Sequence, residues 1–490
     1  MNSESNQSAS ATEAAAGDHM ARAPLRGLTH QKPLVLPPET SLREVLYQIS
    51  QGQEDAAVIA DPDSGLALGL VTLRDLLHAI SFEHVALDTP VAAYMTGAPL
   101  TLAADASIHR AKVLMAKRGA RHLLLSEPDG RLCGLIDQAD LLGLRGNGAE
   151  ALVETIAAAR DVDAMLRAAD QVRLRGAELF RGGMGVEALC QWMSGLNDLI
   201  GIRVCELVED EFDLPAVSWC WLVFGSEGRL EQTFATDQDN GLLFVPPSSE
   251  ATEDVRQAFL PFAQAVNEAL HLCGFERCSG KIMAGNPDWC LSADEWQDRF
   301  RGWLRVPDPE ALLHGTIFFD FRPLYGSFEP VDRLRAWLAS EAPSNPRFFR
   351  ALAEQTLAVS PPLGWAGQFS YDRNRDFPHS IDLKQQGARL FTDPARLWAL
   401  QCGAWSTSTA DRLRAAGAAQ QRPAEEIAAE IEAFHLIQRF RINQQLQTSD
   451  HDAANRVDPN DLNELHRLML KEAFRQAKKL QLRLRQQLGL

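Results

Sequence analysis

The chain has 490 residues, 46% hydrophobic and 23% charged, with 65 Asp+Glu against 48 Lys+Arg and a formal net charge of −17. That length suggests about three or four domains, and the acidic balance disfavours sequence-independent binding to nucleic acid, which draws on cationic contacts to phosphates. The longest apolar run, Trp219 to Phe224, falls far short of the roughly 20 residues that span a bilayer, so no membrane association is expected.

Residues 1–28 are rich in Ser, Ala, Asn and Thr and are expected to form a disordered tail. The first 20 residues carry Glu4, Glu13 and Asp18 with no Lys or Arg, which argues against a secretory or transit signal and for the cytoplasm. Eight cysteines, none in a C-x-x-C pair, fit reduced thiols.

From 29 to 147 the sequence repeats itself weakly. Gly69-Leu-Val-Thr72-Leu-Arg-Asp75 returns as Gly134-Leu-Ile-Asp137-Gln-Ala-Asp140. Each copy follows a helix-period segment (41–50; 107–118), a short apolar strand (56–60; 122–125) and a polar turn, which makes two β-α-β-β-α repeats. A strand delivering a polar side chain, followed by a helix start with a carboxylate, suits phosphate and ribose hydroxyls respectively. The pair resembles a tandem of CBS domains, and the resemblance implies an adenine nucleotide such as AMP or ATP as ligand. Thr72 and Asp75 match the family's phosphate and ribose positions, and Asp140 matches in the second copy. Asp137 replaces the usual Thr or Ser there and would repel phosphate, so at most one competent site is expected. The plainer alternative makes Asp75 and Asp140 helix N-terminal residues favoured by the dipole. CBS pairs commonly associate with one another, which implies a homodimer.

Residues 148–213 carry apolar residues at three- and four-residue spacing over 149–160, 164–181 and 186–209, with Gly182-Gly183 as a break, and form a helical connector. Pro215 then opens an apolar strand, 216–224, which begins a domain expected to end near 334. The strand leads into Gly225-Ser226-Glu-Gly-Arg229, a short helix, and a second strand headed by Asp237-Gln238-Asp239. Side chains two apart on a strand share a face, so the two Asp converge where a cation is needed between or beside them. Gly225 allows close approach to a phosphate, Ser226 offers a hydroxyl, and Arg229 can reach the same anion.

Gly-Ser, a gap of residues 227–236 and Asp-x-Asp together resemble the signature of the polymerase-beta nucleotidyltransferase superfamily. Gln238 departs from it, since many members place a hydrophobic residue there. The fuller string is similar to a bacterial family of nucleotidyltransferases fused to CBS pairs, itself similar to the N-terminal region of protein-PII uridylyltransferase. The resemblance implies a third carboxylate on a later strand. Asp320, within an apolar stretch from Thr316 to Pro323 expected as a strand, fits that role, with Arg322 on the same face. The plainer alternative is an Asp320–Arg322 salt bridge.

Gly280-Lys281 to Asn286-Pro-Asp-Trp289 is a glycine-punctuated stretch in which Lys281 and Asn286 either touch the nucleotide or shape a turn. His271, Cys273, Cys278 and Cys290 match no common zinc spacing and are expected to pack. From 335 to 490 the chain is expected to be a helical bundle, with helices such as 394–402, 424–446 and 461–488. The last carries Lys and Arg from Arg467 to Arg485, which suit a solvated face or an acidic partner. The resemblance makes this the substrate-binding domain, where Lys384 either reaches a triphosphate or is a surface lysine. The lone His451-Asp452 pair has no partner cluster, and no group-removing activity is expected.

The fold class expected is therefore multidomain α/β plus α: a CBS pair, a helical connector, a polymerase-beta-like α/β domain and a C-terminal helical domain. The expected function is a magnesium-dependent nucleotidyltransferase moving a nucleoside monophosphate from ATP or UTP to a hydroxyl of a protein or small-molecule acceptor. Two magnesium ions would lie among Asp237, Asp239 and Asp320, with Gly225, Ser226, Arg229, Arg322, Lys281, Asn286 and Lys384 as phosphate or nucleotide contacts. The alternative is a catalytically inactive nucleotide-sensing scaffold in signal transduction.

Overall fold

The structure is a computed structural model that describes Leu25 and residues 33–51, 56–62, 64–72, 75–76, 79, 85–97, 99–106, 111, 114–115, 120, 122–127, 131–137, 149–365, 367–371, 376–404, 406–448, 450 and 452–489. The chain forms two compact units, Met1–Arg145 and Gly146–Leu490. The segments expected as connector, transferase and helical domain share the second unit. The expected tail lies outside the described residues, apart from Leu25.

In the first unit, β1 (Val35–Leu36), β2 (Ala56–Ala60), β3 (Ala67–Thr72) and β4 (Thr96–Gly97) form one sheet, and β5 (Thr101–Ala103), β6 (His122–Ser126) and β7 (Leu132–Asp137) form another. The repeat seen in the sequence is a repeat of pairing. β1/β2 and β5/β6 are parallel, β2/β3 and β6/β7 antiparallel, and the register slips at the end of each central strand, at Ile59/Ala60 and Leu125/Ser126. Each sheet has its own core. Helix α1 (Leu42–Gln51) supplies Leu42, Val45 and Ile49, spaced three and four apart, against Ala57, Ile59 and Val71. Ala111 and Met115 cover Leu123, Leu125 and Ile136 in the second copy.

The second unit opens with α2 (Glu150–Ala158), α3 (Val162–Arg181) and α4 (Val186–Glu209). Asp161 starts α3 by accepting a hydrogen bond from the Ala164 N–H at 2.7 Å. A four-stranded sheet follows in the order β10-β9-β8-β11, built from β8 (Trp219–Val223), β9 (Asn240–Phe244), β10 (Cys290–Ser292) and β11 (Arg322–Gly326). β8 runs antiparallel to both β9 and β11, and β10 runs parallel to β9. All five residues of β8 and of β9 are buried, as an apolar strand covered on both faces requires. The one-turn helix α5 (Gly225–Gly228) follows β8, and α6 (Thr252–Leu272) and α7 (Ala293–Arg305) flank β10 in the chain.

The strand expected over Thr316–Pro323 is not formed. Asp308 caps α8 (Pro309–Phe318), accepting from the Ala311 N–H at 2.8 Å with Pro309 in the first turn, and β11 begins only at Arg322. A short apolar run at a buried helix end cannot be told from a strand by periodicity. Phe318 ends the helix in an aromatic cluster, 4.3 Å from Trp289, 4.7 Å from Phe224 and 5.1 Å from Trp303 between ring centroids.

Beyond β11 the unit is mostly helical: α9 (Glu329–Glu341), α10 (Pro346–Ala358), α11 (Arg389–Gln401), α12 (Thr409–Ala419), α13 (Ala424–Gln445) and α14 (Glu464–Leu488). A two-residue ladder of β12 (Ile381–Asp382) with β13 (Arg456–Val457) interrupts it. Pro394 lies inside α11 instead of starting it, and a π-helical turn, Lys384–Ala388, leads into that helix. Among the described residues no helix is long and apolar enough to cross a membrane.

Candidate active site

The loop from β8 to β9 is fastened at both ends. The Phe224 N–H donates to the Asp239 carbonyl at 2.8 Å, and the Gly228 N–H donates to the Phe224 carbonyl at 2.8 Å. Gly225 has φ +54, and a Cβ there would lie 2.5 Å from Asp239 Oδ2. A side chain at this position is excluded by backbone conformation and by the carboxylate together.

Asp237 and Asp239 flank Gln238, and the chain alternates across the three. Gln238 points inward and is buried. Its Nε2 donates to the Asn267 and Phe275 carbonyls, both at 3.0 Å, and its Oε1 accepts from Asn267 Nδ2 at 2.9 Å. Asn240 continues the network, accepting from Asn267 Nδ2 at 2.9 Å and from the Ala284 N–H at 2.8 Å. The polar residue between the two carboxylates is thus satisfied by α6 and its following loop, and the carboxylates remain together on the opposite face, just ahead of β9.

That face is strongly acidic. Burial raises the Asp239 carboxyl above the usual range; the Cys278 thiol, which hydrogen-bonds to it, and Lys384 oppose the rise, and Asp237 adds to it. Burial and then the Asp239 charge push the Cys278 thiol up to about 12. The Glu227 carboxyl is pushed up to about 8 by burial and then by Asp198, with Arg322 opposing and Asp239 reinforcing. Lys384, in the turn before α11, brings its ammonium to 2.7 Å from Asp237 Oδ2.

The donor set fits a hard divalent cation. Magnesium keeps several waters and takes one or two carboxylates plus substrate phosphates, and Asp237 and Asp239 supply the carboxylates, with a cationic side chain already drawn to the first. Among the described residues no group of three or more His, Cys, Asp and Glu is set to hold a metal.

Asp320 is not part of this face, which corrects the expectation of a third metal-binding, catalytic carboxylate. It is fully buried between α8 and β11. Arg396 grips it with two hydrogen bonds at 2.8 and 2.7 Å, Arg229 reaches Oδ2 at 2.5 Å, and Arg412 contacts Oδ1. Burial alone would raise its pKa, but Arg396, Arg412 and Arg229 overcome that and hold the carboxyl well below the usual range. Three guanidinium groups leave it no need of a metal.

Arg229 links the two places: its Nη1 donates to Asp320 and its Nε to Glu231 at 2.8 Å, and its charge also acts on Asp239. Arg322 turns to Asp198 and donates to the Glu227 carbonyl at 3.2 and 3.1 Å, so it braces the glycine loop and makes no bridge to Asp320, the plainer alternative. Lys281 is exposed, with φ +56. Asn286 closes the turn, donating to the Lys281 carbonyl at 3.0 Å and accepting from the Asp288 N–H at 3.1 Å, which is the turn-forming alternative. Ser226 lies half-buried in the loop, and its carbonyl accepts from the Glu231 N–H at 2.9 Å.

In the first unit, Thr72 Oγ1 and N–H donate to Asp75 Oδ2 at 2.7 and 2.9 Å, and the Asp75 N–H donates back to Thr72 Oγ1 at 3.2 Å. The two side chains thus bond reciprocally where Asp75 begins a helical turn, the position the plainer alternative gives Asp75. Asp140 and His451 lie outside the described residues.

Residues 171–310 match the family model described as "Putative nucleotidyltransferase DUF294", and 346–488 match "Putative nucleotidyltransferase substrate binding domain". At that general level the second unit is similar to proteins described as nucleotidyltransferases. Residues 25–82 and 91–146 match the CBS domain. An uncharacterized 17.7 kDa protein of Acidianus ambivalens is 27% identical over 110 residues; the match takes in 22% of this chain and 65% of that protein's length. A CBS domain protein from Pyrobaculum aerophilum, solved in complex with AMP, is 25% identical over 25% of this chain and 97% of its own, at a TM-score of 0.23. A CBS-domain containing protein from Agrobacterium tumefaciens is 24% identical over 25% of this chain and 99% of its own, also at 0.23.

Two outcomes follow from the charges. Asp320→Ala strands the buried Arg396 and Arg412 and the half-buried Arg229 and is expected to cost about 3–5 kcal/mol in denaturant unfolding; a loss under about 1 kcal/mol would contradict the network. The raised Glu227 pKa makes its neutral form the one that favours folding, so stability is full below the unfolded value of 4.5 and is lost as pH rises through about 8. In metal-free buffer Glu227→Gln should melt higher than the parent at pH 9, with the gap closing by pH 5; a gap that does not grow with pH would contradict it.

Proposed function

We propose that the second unit is a magnesium-dependent nucleotidyltransferase of the uridylyl- or adenylyltransferase type, which moves a nucleoside monophosphate from ATP or UTP to a hydroxyl of a protein or small-molecule acceptor. The observation that carries this reading is the pairing of Asp237 and Asp239 on one open face, maintained by the inward commitment of Gln238 and by the absence of a side chain at Gly225. The two carboxylates would hold magnesium, which when bound neutralises phosphate charge and makes the attacking hydroxyl more acidic. Gly225 and Ser226, in the turn beside Asp239, would lie along the triphosphate. With Asp320 withdrawn, two carboxylates instead of three face the cation. A net charge of −17 suits a protein or small-molecule acceptor better than nucleic acid.

The same proposal gives the CBS pair an adenine nucleotide such as AMP or ATP, bound near Thr72 and Asp75, and a part in setting the transfer rate. It also makes the protein a cytoplasmic homodimer joined through that pair. Its eight cysteines are all free thiols, as a reducing compartment requires.

A catalytically inactive nucleotide-sensing scaffold is the second reading, and the structural use of Asp320 favours it by removing one carboxylate from that face. The two readings separate on point variants. Asp237→Asn and Asp239→Asn should each abolish magnesium-dependent transfer, by at least 100-fold, with unchanged far-ultraviolet circular dichroism; undiminished transfer in either would overturn the assignment. Adding AMP or ATP should change the rate of the full-length protein by about 5-fold or more, a typical allosteric coupling. An unchanged rate despite measured binding would remove the regulatory part alone.

A further inference from the structure

Lys384 is built differently from the other cationic side chains of the unit. Its backbone is fixed: the Lys384 and Gln385 N–H groups both donate to Asp382 Oδ1, at 2.9 and 3.0 Å, and the Leu383 N–H donates to the Asn455 carbonyl at 2.8 Å. Three residues after Lys384, Gly387 packs so closely that a Cβ would meet Ile437 Cγ2 at 2.8 Å. The turn therefore sits rigidly between the β12/β13 ladder and α13. The side chain is another matter, because its ammonium projects from this anchor across the site to Asp237 and its side chain is 43% exposed. A flexible four-carbon stem on a fixed backbone can swing where a buried guanidinium cannot.

The partner it has chosen is the oxygen a cation would need. Asp237 and Asp239 lie two residues apart on one face, and a cation beside them offsets their like charge. Lys384 supplies it at Asp237 Oδ2, at 2.7 Å.

We propose that Lys384 is an internal counter-ion: it takes the cation position at Asp237 in the resting protein, competes there with a divalent metal, and on displacement gives its ammonium to the triphosphate of the bound nucleotide. This rests on the reading of Asp237 and Asp239 as the metal-holding pair. One side chain would then link two binding events in opposite senses. Its removal should help the metal bind alone and hinder the nucleotide, whereas a lysine that only contacts phosphate would leave binding of the metal alone unaffected.

The test is a titration of the full chain with Mn2+ alone, followed by electron paramagnetic resonance, for the parent protein, Lys384→Met and Lys384→Gln, with Asp237→Asn marking which binding belongs to the site. Circular dichroism confirms that each variant is folded. Binding of Mn2+ at least 10-fold tighter in both Lys384 variants is the expected result. A parallel titration with a non-hydrolysable ATP or UTP analogue at saturating Mn2+ should show at least 10-fold weaker nucleotide binding. Equal or weaker Mn2+ affinity in the Lys384 variants, still sensitive to Asp237→Asn, would overturn the counter-ion role and leave the metal-holding pair standing. If no protein shows Asp237-sensitive Mn2+ binding, the metal reading itself falls, and the inference with it.

Discussion

A carboxylate taken wholly out of water has to be answered by charge and hydrogen bonds, and Asp320 is answered by three arginines from three parts of the chain. Arg229 comes from the loop that follows β8, Arg396 from α11 and Arg412 from α12. The charge itself thus joins the glycine loop to the C-terminal helices. Backbone packing tightens the join, since a Cβ on Gly228 would lie 2.0 Å from the Asp320 carbonyl oxygen. Glu231 extends it by accepting from Arg229 and from the Thr409 N–H at 2.6 Å, and Gln445 accepts from the Phe234 and Ala235 N–H groups at 3.1 and 3.4 Å. The loop that presents Asp237 and Asp239 is held by helices that follow it by more than 150 residues.

This arrangement explains a division of labour among the acidic groups. Asp320 is saturated with arginine and takes a structural role; Asp237 and Asp239 face a half-buried site with the Lys384 ammonium at Asp237. The helical region that matches a substrate-binding model contributes to both, through Arg396 and Arg412 to the buried join and through Lys384 to the open face. The C-terminal helices and the glycine loop belong to one compact unit and are joined through these contacts.

The features legible in the sequence were local ones. Gly225, Ser226, Asp237 and Asp239 stand within one loop, where turn chemistry and two-residue alternation decide geometry. The paired repeat was legible for the same reason, as strand, turn and helix start recur together. What was not legible depended on distant partners. Asp320 meets arginines 76, 91 and 92 residues away, and nothing about an isolated Asp in an apolar run distinguishes a metal from a guanidinium as the answer to its charge. Gln238 looked like a departure because its partners, Asn267 and the Phe275 carbonyl, lie 29 and 37 residues on. Glu227 sat in plain view between Gly225 and Arg229, but its raised pKa comes from burial and from Asp198 on another helix. For Lys384 the sequence leaves a triphosphate contact and a surface position open, and its contact with Asp237 spans 147 residues that no local pattern connects.

The central claim is that an α-phosphorus is transferred at the Asp237–Asp239 face. Its most direct measurement is to incubate the purified protein with magnesium and a lysate of its own cell, supplying ATP or UTP labelled in parallel at the α- or the γ-phosphate. Nucleotidyl transfer predicts that α-label becomes attached to a discrete acceptor while γ-label leaves as pyrophosphate. Attachment of γ-label, or of neither label with either nucleotide, would contradict the account.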